Sequence, residues 1–258
     1  MSVRLGGAAL VPLRSLTHTP EREHMASVPR AIQYVVFDLD DTLYPPGTGV
    51  MQEIRRLILR YMTHRLDMPL GQAEKLRHRY LVEYGTTMAG LLRHQAIDPE
   101  EYLSYVHDMD MGDFLRPNSE LDRVLSGIRT PKAIWTNATR AHAERVLSAL
   151  GIRRHFDLIV DVADMGYTGK PAQEVYVRLL GLLGVAGPEC VLVEDSIRNL
   201  GPARLLGMTT VLVHNMQQPV DDARDADFVI RRVEEVGGLI RDLITADRLL
   251  EFAQTLPA

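Results

Sequence analysis

A short buried strand that ends on two acids constrains the fold of this chain more than any other segment. Residues 34–37 read Tyr-Val-Val-Phe, and a run this apolar and β-branched is typical of a parallel strand covered on both faces. Asp38 and Asp40 follow it at once. Because open parallel sheets bind ligands beyond the carboxyl ends of their strands, the two acids are predicted to converge at a ligand-binding edge.

This acid pair has two interpretations. Paired carboxylates suit a divalent cation, with one acid free to attack phosphorus and the other to move a proton. The alternative is a solvated acidic turn after a strand. Only the first interpretation predicts further polar motifs at other strand ends, so the rest of the chain discriminates between the two.

The remainder of the chain alternates between apolar strands and amphipathic helices. Further strands are predicted at residues 133–135, 158–160, 191–193, 209–213 and 228–230. One of the intervening helices is expected to stop at Gly151 and another to open at Pro171. Repeated strand–helix units predict an α/β fold, with a Rossmann-like parallel sheet and helices on both of its faces.

Residues 47–117 interrupt this alternation with helical periodicity alone. Within them, Asp98 and Pro99 form a helix start, a capping acid followed by proline at the first helical position. We therefore expect an all-helical cap inserted into the sheet domain. The predicted division is a poorly ordered extension at residues 1–29, a sheet core at 30–46 and 118–245, and the helical cap at 47–117.

Composition and charge narrow the set of partners. With 29 lysines and arginines against 34 acids, the net charge is -5, which argues against nucleic acid or an anionic membrane as the main partner. No apolar stretch is long enough to span a membrane. Cys190 is the only cysteine, so no intrachain disulfide can form, and a reducing cytoplasm is the expected location. We expect Cys190 to be a core residue and the protein to be a monomer or a weak homo-oligomer.

Three further polar clusters fall at predicted strand or helix edges. They are Thr136-Asn137 after the strand at 133–135, Lys170 before a helix, and Glu194-Asp195 after the strand at 191–193. Carboxylates from two strand ends give the oxygen-rich surroundings that Mg²⁺ prefers. Lys170 would offset their charge and hold a phosphoryl group, to which Thr136 and Asn137 would donate. Taken singly, each cluster has an ordinary alternative: a helix cap for the first, a solvated charge for the second, and a cap by Ser196 for the last.

Together the four motifs resemble those of the haloacid dehalogenase superfamily of phosphohydrolases, over most of the chain. The resemblance implies that Asp38 is the nucleophile and forms an aspartyl-phosphate. It implies that Asp40 protonates the leaving group and then activates water. It further implies that Lys170 supports catalysis and that Lys170, Thr136 and Asn137 bind the phosphate of a small phosphorylated metabolite.

The same resemblance implies a Mg²⁺ cofactor. Its ligands would be Asp38, the backbone carbonyl of Asp40, and Asp195, with Glu194 bound directly or through water. True dehalogenases lack an acid at the position of Asp40, because halide leaves without protonation, so this acid favours a phosphate ester. Asn199 stands where many members have a second acid, and a hydrogen bond outside the metal's direct ligands is expected there.

The helical segment offers a finer match, to the pyrimidine 5′-nucleotidase branch of that superfamily. The residues that carry it are Tyr84-Gly85-Thr86-Thr87, Gly90-Leu91, and the stretches 41–45 and 109–117. The match implies that Tyr84, Thr86 and Thr87 face a base and sugar. Arg198 and Asn199 would border the pocket, with surface positions on a loop-to-helix turn as an equal alternative. The implied substrate is a pyrimidine nucleoside 5′-monophosphate; a core aromatic is an equal alternative for Tyr84.

Other functions stay open from the residues alone. A different capped phosphatase, acting on phosphoglycolate or a sugar phosphate, would carry the same core motifs, and so would a phosphomutase. A phospho-accepting receiver module also uses an acid pair, a threonine and Lys-Pro, but in a different order along the chain. A non-catalytic binding protein on the same fold is a further alternative. The nine histidines show no paired ligand spacing, and most of them are expected to be solvated or structural.

Overall fold

A computed structural model of the chain describes residues 31–214 and 224–255, with side chains as far as residue 246. The predicted extension at residues 1–29 lies outside the described residues. Six strands form one parallel sheet in the order β3-β2-β1-β4-β5-β6. They are β1 (Tyr34–Phe37), β2 (Lys132–Trp135), β3 (Leu158–Val160), β4 (Cys190–Glu194), β5 (Thr209–Val213) and β6 (Phe228–Ile230). All six predicted strands are confirmed, with β2 beginning one residue earlier than expected and β4 one residue longer at each end.

β1 occupies the centre of the sheet, between β2 and β4. Phe37 is level with Ile134 of β2 and with Val193 of β4, so the three strands end side by side. Residues 35–37 have no exposed surface, which is why this strand is apolar on both faces. The strand order also reverses between β1 and β4, and open sheets form their ligand crevice at such a point.

Four helices occupy the first part of the interval between β1 and β2. They are α1 (Val50–His64), α2 (Leu70–Tyr84), α3 (Thr87–His94) and α4 (Pro99–Val106), and they are called the helical insert below. Asp98 caps α4 as predicted, because its Oδ1 accepts from the N–H groups of Glu100 and Glu101. No strand lies between residues 47 and 117, all of which are described. The helices of the insert pack around a third apolar cluster, which includes Leu91 and extends to Val162 in the loop after β3.

The remaining helices cover the two faces of the sheet. They are α5 (Ser119–Gly127), α6 (Arg140–Leu150), α7 (Gln173–Leu183), α8 (Ile197–Leu205) and α9 (Val236–Thr255), with 3₁₀ segments at Met111–Asp113, Arg153–His155, Gly187–Glu189 and Val233–Glu235. Phe37 packs into the apolar cluster on one face, and Trp135 into that on the other. Cys190 is buried in the second cluster, as expected of a core residue. α6 ends at Leu150, where Gly151 adopts the left-handed conformation.

The helix predicted to open at Pro171 begins later, at Gln173. Ala172 still has an extended backbone, with φ -61° and ψ 127°, so the helix cannot start before Gln173, and the side-chain amide of Asn137 binds the N–H and the C=O of Lys170 in the loop that precedes it. Within residues 31–214 and 224–255, no helix has the length and apolar character needed to cross a membrane.

Candidate active site

Asp38 and Asp40 leave the end of β1 and line the same cavity. Between them, Leu39 is fully buried in the apolar cluster on one face of the sheet. Because side chains alternate as an extended chain leaves a strand, burying Leu39 turns its two neighbours away from the core. The loop closes where the N–H of Leu43 donates to the carbonyl of Leu39 at 3.0 Å. The two acids therefore share one surface of the cavity.

Lys170 forms hydrogen bonds with residues at the carboxyl ends of three strands, β1, β2 and β4. Its Nζ donates to Oδ1 of Asp38 at 2.6 Å, to Oε2 of Glu194 at 2.8 Å and to the carbonyl of Trp135 at 3.1 Å. Only 2% of the residue is exposed. Burial alone would lower the pKa of Lys170, but the two carboxylates raise that pKa above its usual value. Lys170 is thus a buried cation and not a solvated surface charge.

Asp38, Glu194 and Asp195 form a carboxylate cluster that could hold a metal ion, with one oxygen of each within 4.8 Å of the others. The Thr42 hydroxyl lies 3.1 Å from Oδ2 of Asp38 and 3.1 Å from Oδ1 of Asp195. Burial and neighbouring carboxylates raise the pKa of Asp38 to about 7 and that of Asp195 to about 9. Three acids against one lysine leave excess negative charge. A divalent cation with hard oxygen ligands would neutralise it, so this donor set fits Mg²⁺.

Thr136 and Asn137, at the end of β2, have different surroundings. The Thr136 hydroxyl oxygen accepts from the N–H of Ala138 at 3.0 Å, which leaves its hydrogen for a ligand. The Asn137 amide is held by Lys170: Oδ1 accepts from the lysine N–H at 2.8 Å, and Nδ2 donates to the lysine C=O at 3.1 Å. Gly169 permits this approach, since a Cβ there would lie 2.7 Å from Oδ1 of Asn137. Asn137 therefore orients the lysine loop.

A cavity of about 350 Å³ lies between the sheet edge and the helical insert. Its floor, at the sheet edge, includes Asp38, Asp40, Thr136, Asn137, Lys170, Glu194 and Asp195, and Arg198 and Asn199 also line the cavity. Its wall, on the insert, combines apolar side chains with the guanidinium groups of Arg55 and Arg77. Burial and the nearby Arg55 lower the pKa of Arg77, and Nε of Arg77 is buried without a hydrogen-bond partner among the described residues. The cavity thus has an acidic floor and a wall that is partly basic.

The residues predicted to face a base and sugar lie in two places. Thr86 and Thr87 line the cavity, and the Thr86 hydroxyl also caps α3 by accepting a backbone N–H at 3.0 Å. Tyr84 lines a separate groove beside α3, and its hydroxyl is 2.8 Å from Nε2 of His94. Tyr84 is therefore not among the residues that the structure brings to the acid pair.

The sequence profile of the haloacid dehalogenase-like hydrolases matches residues 32–207, which is more than half of the chain. The chain belongs to this hydrolase family. The matched region includes β1 to β4 and the helical insert, and so every group on the cavity floor.

Two relatives of this hydrolase match different shares of it. The glyceraldehyde 3-phosphate phosphatase of Methanopyrus kandleri is 29% identical over 232 residues, which are 82% of this chain and 98% of that protein. Phosphate metabolism protein 8 of Saccharomyces cerevisiae is 27% identical over 161 residues, which are 56% of this chain and 50% of the yeast protein. The chain thus spans about half the length of the yeast relative and nearly all of the archaeal one.

A solved structure, the HAD phosphatase from Thermococcus onnurineus, has a TM-score of 0.57 with this hydrolase. The two are 20% identical, and the match covers 81% of this chain and 98% of that one. At this identity the likeness is one of fold, and it agrees with the Rossmann-like parallel sheet predicted from the strand–helix alternation.

Two residues that sequence reasoning missed hold Asp40 in this hydrolase. The Tyr44 hydroxyl donates to Oδ1 of Asp40 at 2.6 Å, and Nε2 of His142 lies 2.8 Å from the same oxygen. Burial would raise the pKa of Asp40, but His142 and Tyr44 lower it to about 2. The His107 ring lies 4.4 Å from that of His142 between centroids, with the two planes tilted by 32°, and burial lowers the pKa of His107 to about 3.

Chain position offers a signal for both residues. Tyr44 is four residues beyond Asp40, close enough for one loop to bring the two side chains together. His142 is the third residue of α6, whose first turn follows the Thr136 loop at the sheet edge. His142 has no exposed surface, so the expectation of solvated or structural histidines overlooked its contact with the acid.

Proposed function

We propose that this hydrolase cleaves phosphate monoesters in two steps, through an aspartyl-phosphate on Asp38. The observation that carries the proposal is a pair of carboxylates with different partners on one cavity floor. Asp38 contacts Lys170, whereas Asp40 contacts Tyr44 and His142. Different partners give two neighbouring acids different tasks.

In the first step, a carboxylate oxygen of Asp38 attacks phosphorus. As the bond from phosphorus to the ester oxygen breaks, Asp40 gives its proton to that oxygen, and the alcohol leaves. Lys170 offsets part of the negative charge that Asp38 and the phosphoryl group share. The Thr136 hydroxyl donates to a phosphoryl oxygen as charge develops there.

In the second step, Asp40 acts as a base. Its carboxylate takes a proton from a water molecule whose oxygen attacks phosphorus. The bond between phosphorus and Asp38 breaks, and inorganic phosphate leaves. Asp38 is then a carboxylate again and Asp40 carries a proton again, so both acids are ready for the next substrate.

Asp38, Glu194, Asp195 and the backbone carbonyl of Asp40 would hold Mg²⁺. When bound, Mg²⁺ supplies positive charge that offsets the carboxylates and the phosphoryl oxygens. Without a cation the two acids ionise in the reverse of the order that the reaction needs, since the pKa of Asp38 is about 7 and that of Asp40 about 2. Positive charge beside Asp38 lowers its pKa, and a phosphate dianion beside Asp40 raises that of Asp40. Binding of a cation and of the substrate phosphate would therefore favour an ionised Asp38 and a protonated Asp40.

A pyrimidine nucleoside 5′-monophosphate is the substrate that we propose for this site. A cavity of about 350 Å³ offers more room than a triose phosphate would fill. Ile54 and Leu103 on its wall suit the faces of a flat ring, and Arg55 and Arg77 can donate to ring carbonyl oxygens. Thr87, also on the wall, would lie on the side of the sugar.

A small sugar phosphate is the second candidate substrate. The relative from Methanopyrus kandleri is named as a glyceraldehyde 3-phosphate phosphatase and aligns along nearly all of its own length. Such a substrate would use the same floor and would leave the apolar part of the wall without contacts.

Phosphate release from a panel of monoesters tests the proposal. The protein is assayed with Mg²⁺ against UMP, CMP, AMP, glyceraldehyde 3-phosphate and phosphoglycolate, with EDTA as the control. We expect sustained phosphate release that requires the metal, with the highest kcat/KM for UMP or CMP. A higher kcat/KM for a sugar phosphate would reject the nucleotide. Transfer back to the substrate without release would identify a phosphomutase, and release that EDTA leaves unchanged would reject the metal site.

A further inference from the structure

Tyr44 and His142 converge on a single oxygen of Asp40. The Tyr44 hydroxyl lies 2.6 Å from Oδ1, and Nε2 of His142 lies 2.8 Å from the same atom. Both residues are buried, with 2% and 0% of their surface exposed. A carboxylate oxygen has two lone pairs, so these two donors fill the hydrogen-bonding capacity of Oδ1.

The other oxygen of Asp40 has different surroundings. Within residues 31–214 and 224–255, the hydrogen bonds to the Asp40 side chain all go to Oδ1 and leave Oδ2 without a protein partner. The side chain keeps 17% of its surface exposed and lines the cavity. Oδ2 is therefore the oxygen that can meet a leaving group or a water molecule.

The surroundings of His142 fix which of its nitrogens carries hydrogen. The Asp40 carboxylate can only accept, so Nε2 is the donor. Nδ1 is buried and has no hydrogen-bond partner among the described residues. His142 therefore donates to Asp40 through Nε2, and among the described residues no protein group lies within hydrogen-bond distance of Nδ1 to take a proton onward.

The helical insert contributes to this arrangement through His107. This residue caps the carboxyl end of α4, and its ring lies 4.4 Å from the His142 ring between centroids, tilted by 32°. Arg145 of α6 donates to the His107 carbonyl at 2.7 Å. The contacts fix the His142 ring between the insert and the sheet domain, and so fix the direction of its Nε2 hydrogen.

We propose that Tyr44 and His142 are positioning residues that hold Oδ1 of Asp40, so that Oδ2 alone gives and takes the proton. The inference rests on the proposed function, in which Asp40 is the acid and the base. Two donors on Oδ1 leave no room for a proton there, and they prevent the carboxyl group from rotating its proton away from the ester oxygen. Even a small displacement of a general acid from its substrate lowers the reaction rate. The contacts of Tyr44 and His142 with Asp40 therefore increase the rate by keeping the acid in place.

Three variants separate the contributions. Tyr44→Phe removes one donor at nearly constant volume, and His142→Leu removes the other. His142→Gln keeps an amide N–H close to the place of Nε2. Each is assayed with aryl phosphates whose leaving groups range from 4-nitrophenol to phenol, because a good leaving group needs little protonation.

The expected signature is a dependence on the leaving group. For phenyl phosphate, Tyr44→Phe and His142→Leu should lower kcat/KM about 10- to 100-fold, and for 4-nitrophenyl phosphate less than about threefold. His142→Gln should recover most of the loss. In an Asp40→Asn background, Tyr44→Phe should lower kcat/KM no further, because the carboxylic acid that it positions is gone.

Other outcomes would overturn the positioning role. An equal loss for both leaving groups, a loss that adds to that of Asp40→Asn, or no loss in any folded variant would each do so. Circular dichroism checks folding, and Tyr44→Phe decides the question if His142→Leu does not fold. The proposed function is rejected by different results: if the unaltered protein hydrolyses none of these esters, or if Asp38→Asn leaves the rate unchanged. The inference about Tyr44 and His142 would then be rejected as well, because it depends on that function.

Discussion

The floor of the cavity and its helical wall differ in whether their charged side chains have partners within the protein. On the floor, Lys170 lies 2.6 Å from Asp38 and 2.8 Å from Glu194, and all three are almost completely buried. On the wall, Arg55 is close enough to lower the pKa of Arg77, whose Nε has no partner among the described residues. The floor holds opposite charges together before any substrate arrives, whereas on the wall the Nε donor of Arg77 is left without a hydrogen-bond partner among the described residues.

This difference assigns the reaction to the floor and the choice of substrate to the wall. A change on the floor should reduce turnover of every ester, because each passes through the same attack on phosphorus. A change on the wall should affect only those substrates that reach it. The division fails if floor variants discriminate among substrates or if wall variants slow all of them equally.

The largest effect is expected for Asp38→Asn. The amide is a poor nucleophile, so kcat for every substrate should fall at least about 10³-fold. Phosphate release from an aryl phosphate and from UMP measures it. Asp41→Asn is the matched control: Asp41 lies on the same loop with a φ of 61°, which asparagine tolerates, and outside the metal cluster. A loss confined to one substrate, or an equal loss in the control, would contradict the division.

Lys170→Met should abolish activity and also destabilise the fold. It leaves the Asp38 and Glu194 carboxylates buried without their cation, which costs about 3–5 kcal/mol. Urea unfolding measures the change. Lys132→Met is the control, because Nζ of this buried lysine donates to the carbonyls of Ile128 and Thr130 and, among the described residues, forms no ion pair.

The control variant should lose about 1–3 kcal/mol and keep its activity. Equal destabilisation by the two variants would mean that the buried carboxylates of the floor do not depend on Lys170. In that case the floor would not be the charge-paired region that distinguishes it from the wall.

The metal-free protein should become less stable as pH rises through the neutral and mildly alkaline range. The folded-state pKa values of Asp38 and Asp195, about 7 and about 9, exceed those of an unfolded chain, so the native state binds more protons. The two acids contribute fully to the free energy of unfolding below the pKa that they have in the unfolded chain. This contribution is lost as the pH rises through their pKa values in the folded protein. Added Mg²⁺ should therefore raise the melting temperature more at about pH 8.5 than at about pH 5.5.

Differential scanning fluorimetry with EDTA and with Mg²⁺ measures this dependence. Ca²⁺, which also prefers oxygen ligands but is larger, provides a comparison for selectivity. A metal-free protein that gains stability between about pH 6 and about pH 9 would show that these acids are not held together on the floor.

The smallest effect is expected on the wall. Arg77→Gln should raise KM for UMP about three- to tenfold, the size of one lost hydrogen bond, with kcat nearly unchanged. An aryl phosphate should lose less, because its ring lacks carbonyl acceptors. Arg79→Gln on the same helix is the control, since Arg79 lies over the Tyr80 ring and does not line the cavity. A fall in kcat for every ester would remove the distinction between wall and floor.

The floor was predictable from the sequence because topology brings strand ends together. Apolar runs located all six strands, and a parallel sheet places their carboxyl ends at one edge, so motifs more than a hundred residues apart could be joined. The roles within that edge were less predictable. Asn137 was expected to donate to phosphate; its Oδ1 and one Nδ2 hydrogen bind the Lys170 backbone, and its second Nδ2 hydrogen is left for a ligand in the cavity that Asn137 lines. Side-chain hydrogen bonds of this kind depend on loop geometry that spacing does not encode.

The wall was less predictable, because periodicity gives the face of a helix but not how helices pack. Tyr84 has helical spacing from Tyr80, but at the end of α2 it lies beside His94 of α3, away from the cavity. Arg55 and Arg77 belong to different helices, so their proximity follows from tertiary packing. The support of Asp40 by His142 depends likewise on where α6 meets the sheet edge.

Chemical trapping of the covalent intermediate tests the division of labour on the floor most directly. The protein is mixed with an aryl phosphate and Mg²⁺ and quenched in acid within one turnover, and its peptides are mapped by mass spectrometry. One phosphoryl group on Asp38, absent from Asp38→Asn and prolonged in Asp40→Asn, is the predicted result. Rapid turnover with no phosphoryl group on Asp38, or with one on another residue, would contradict the aspartyl-phosphate mechanism.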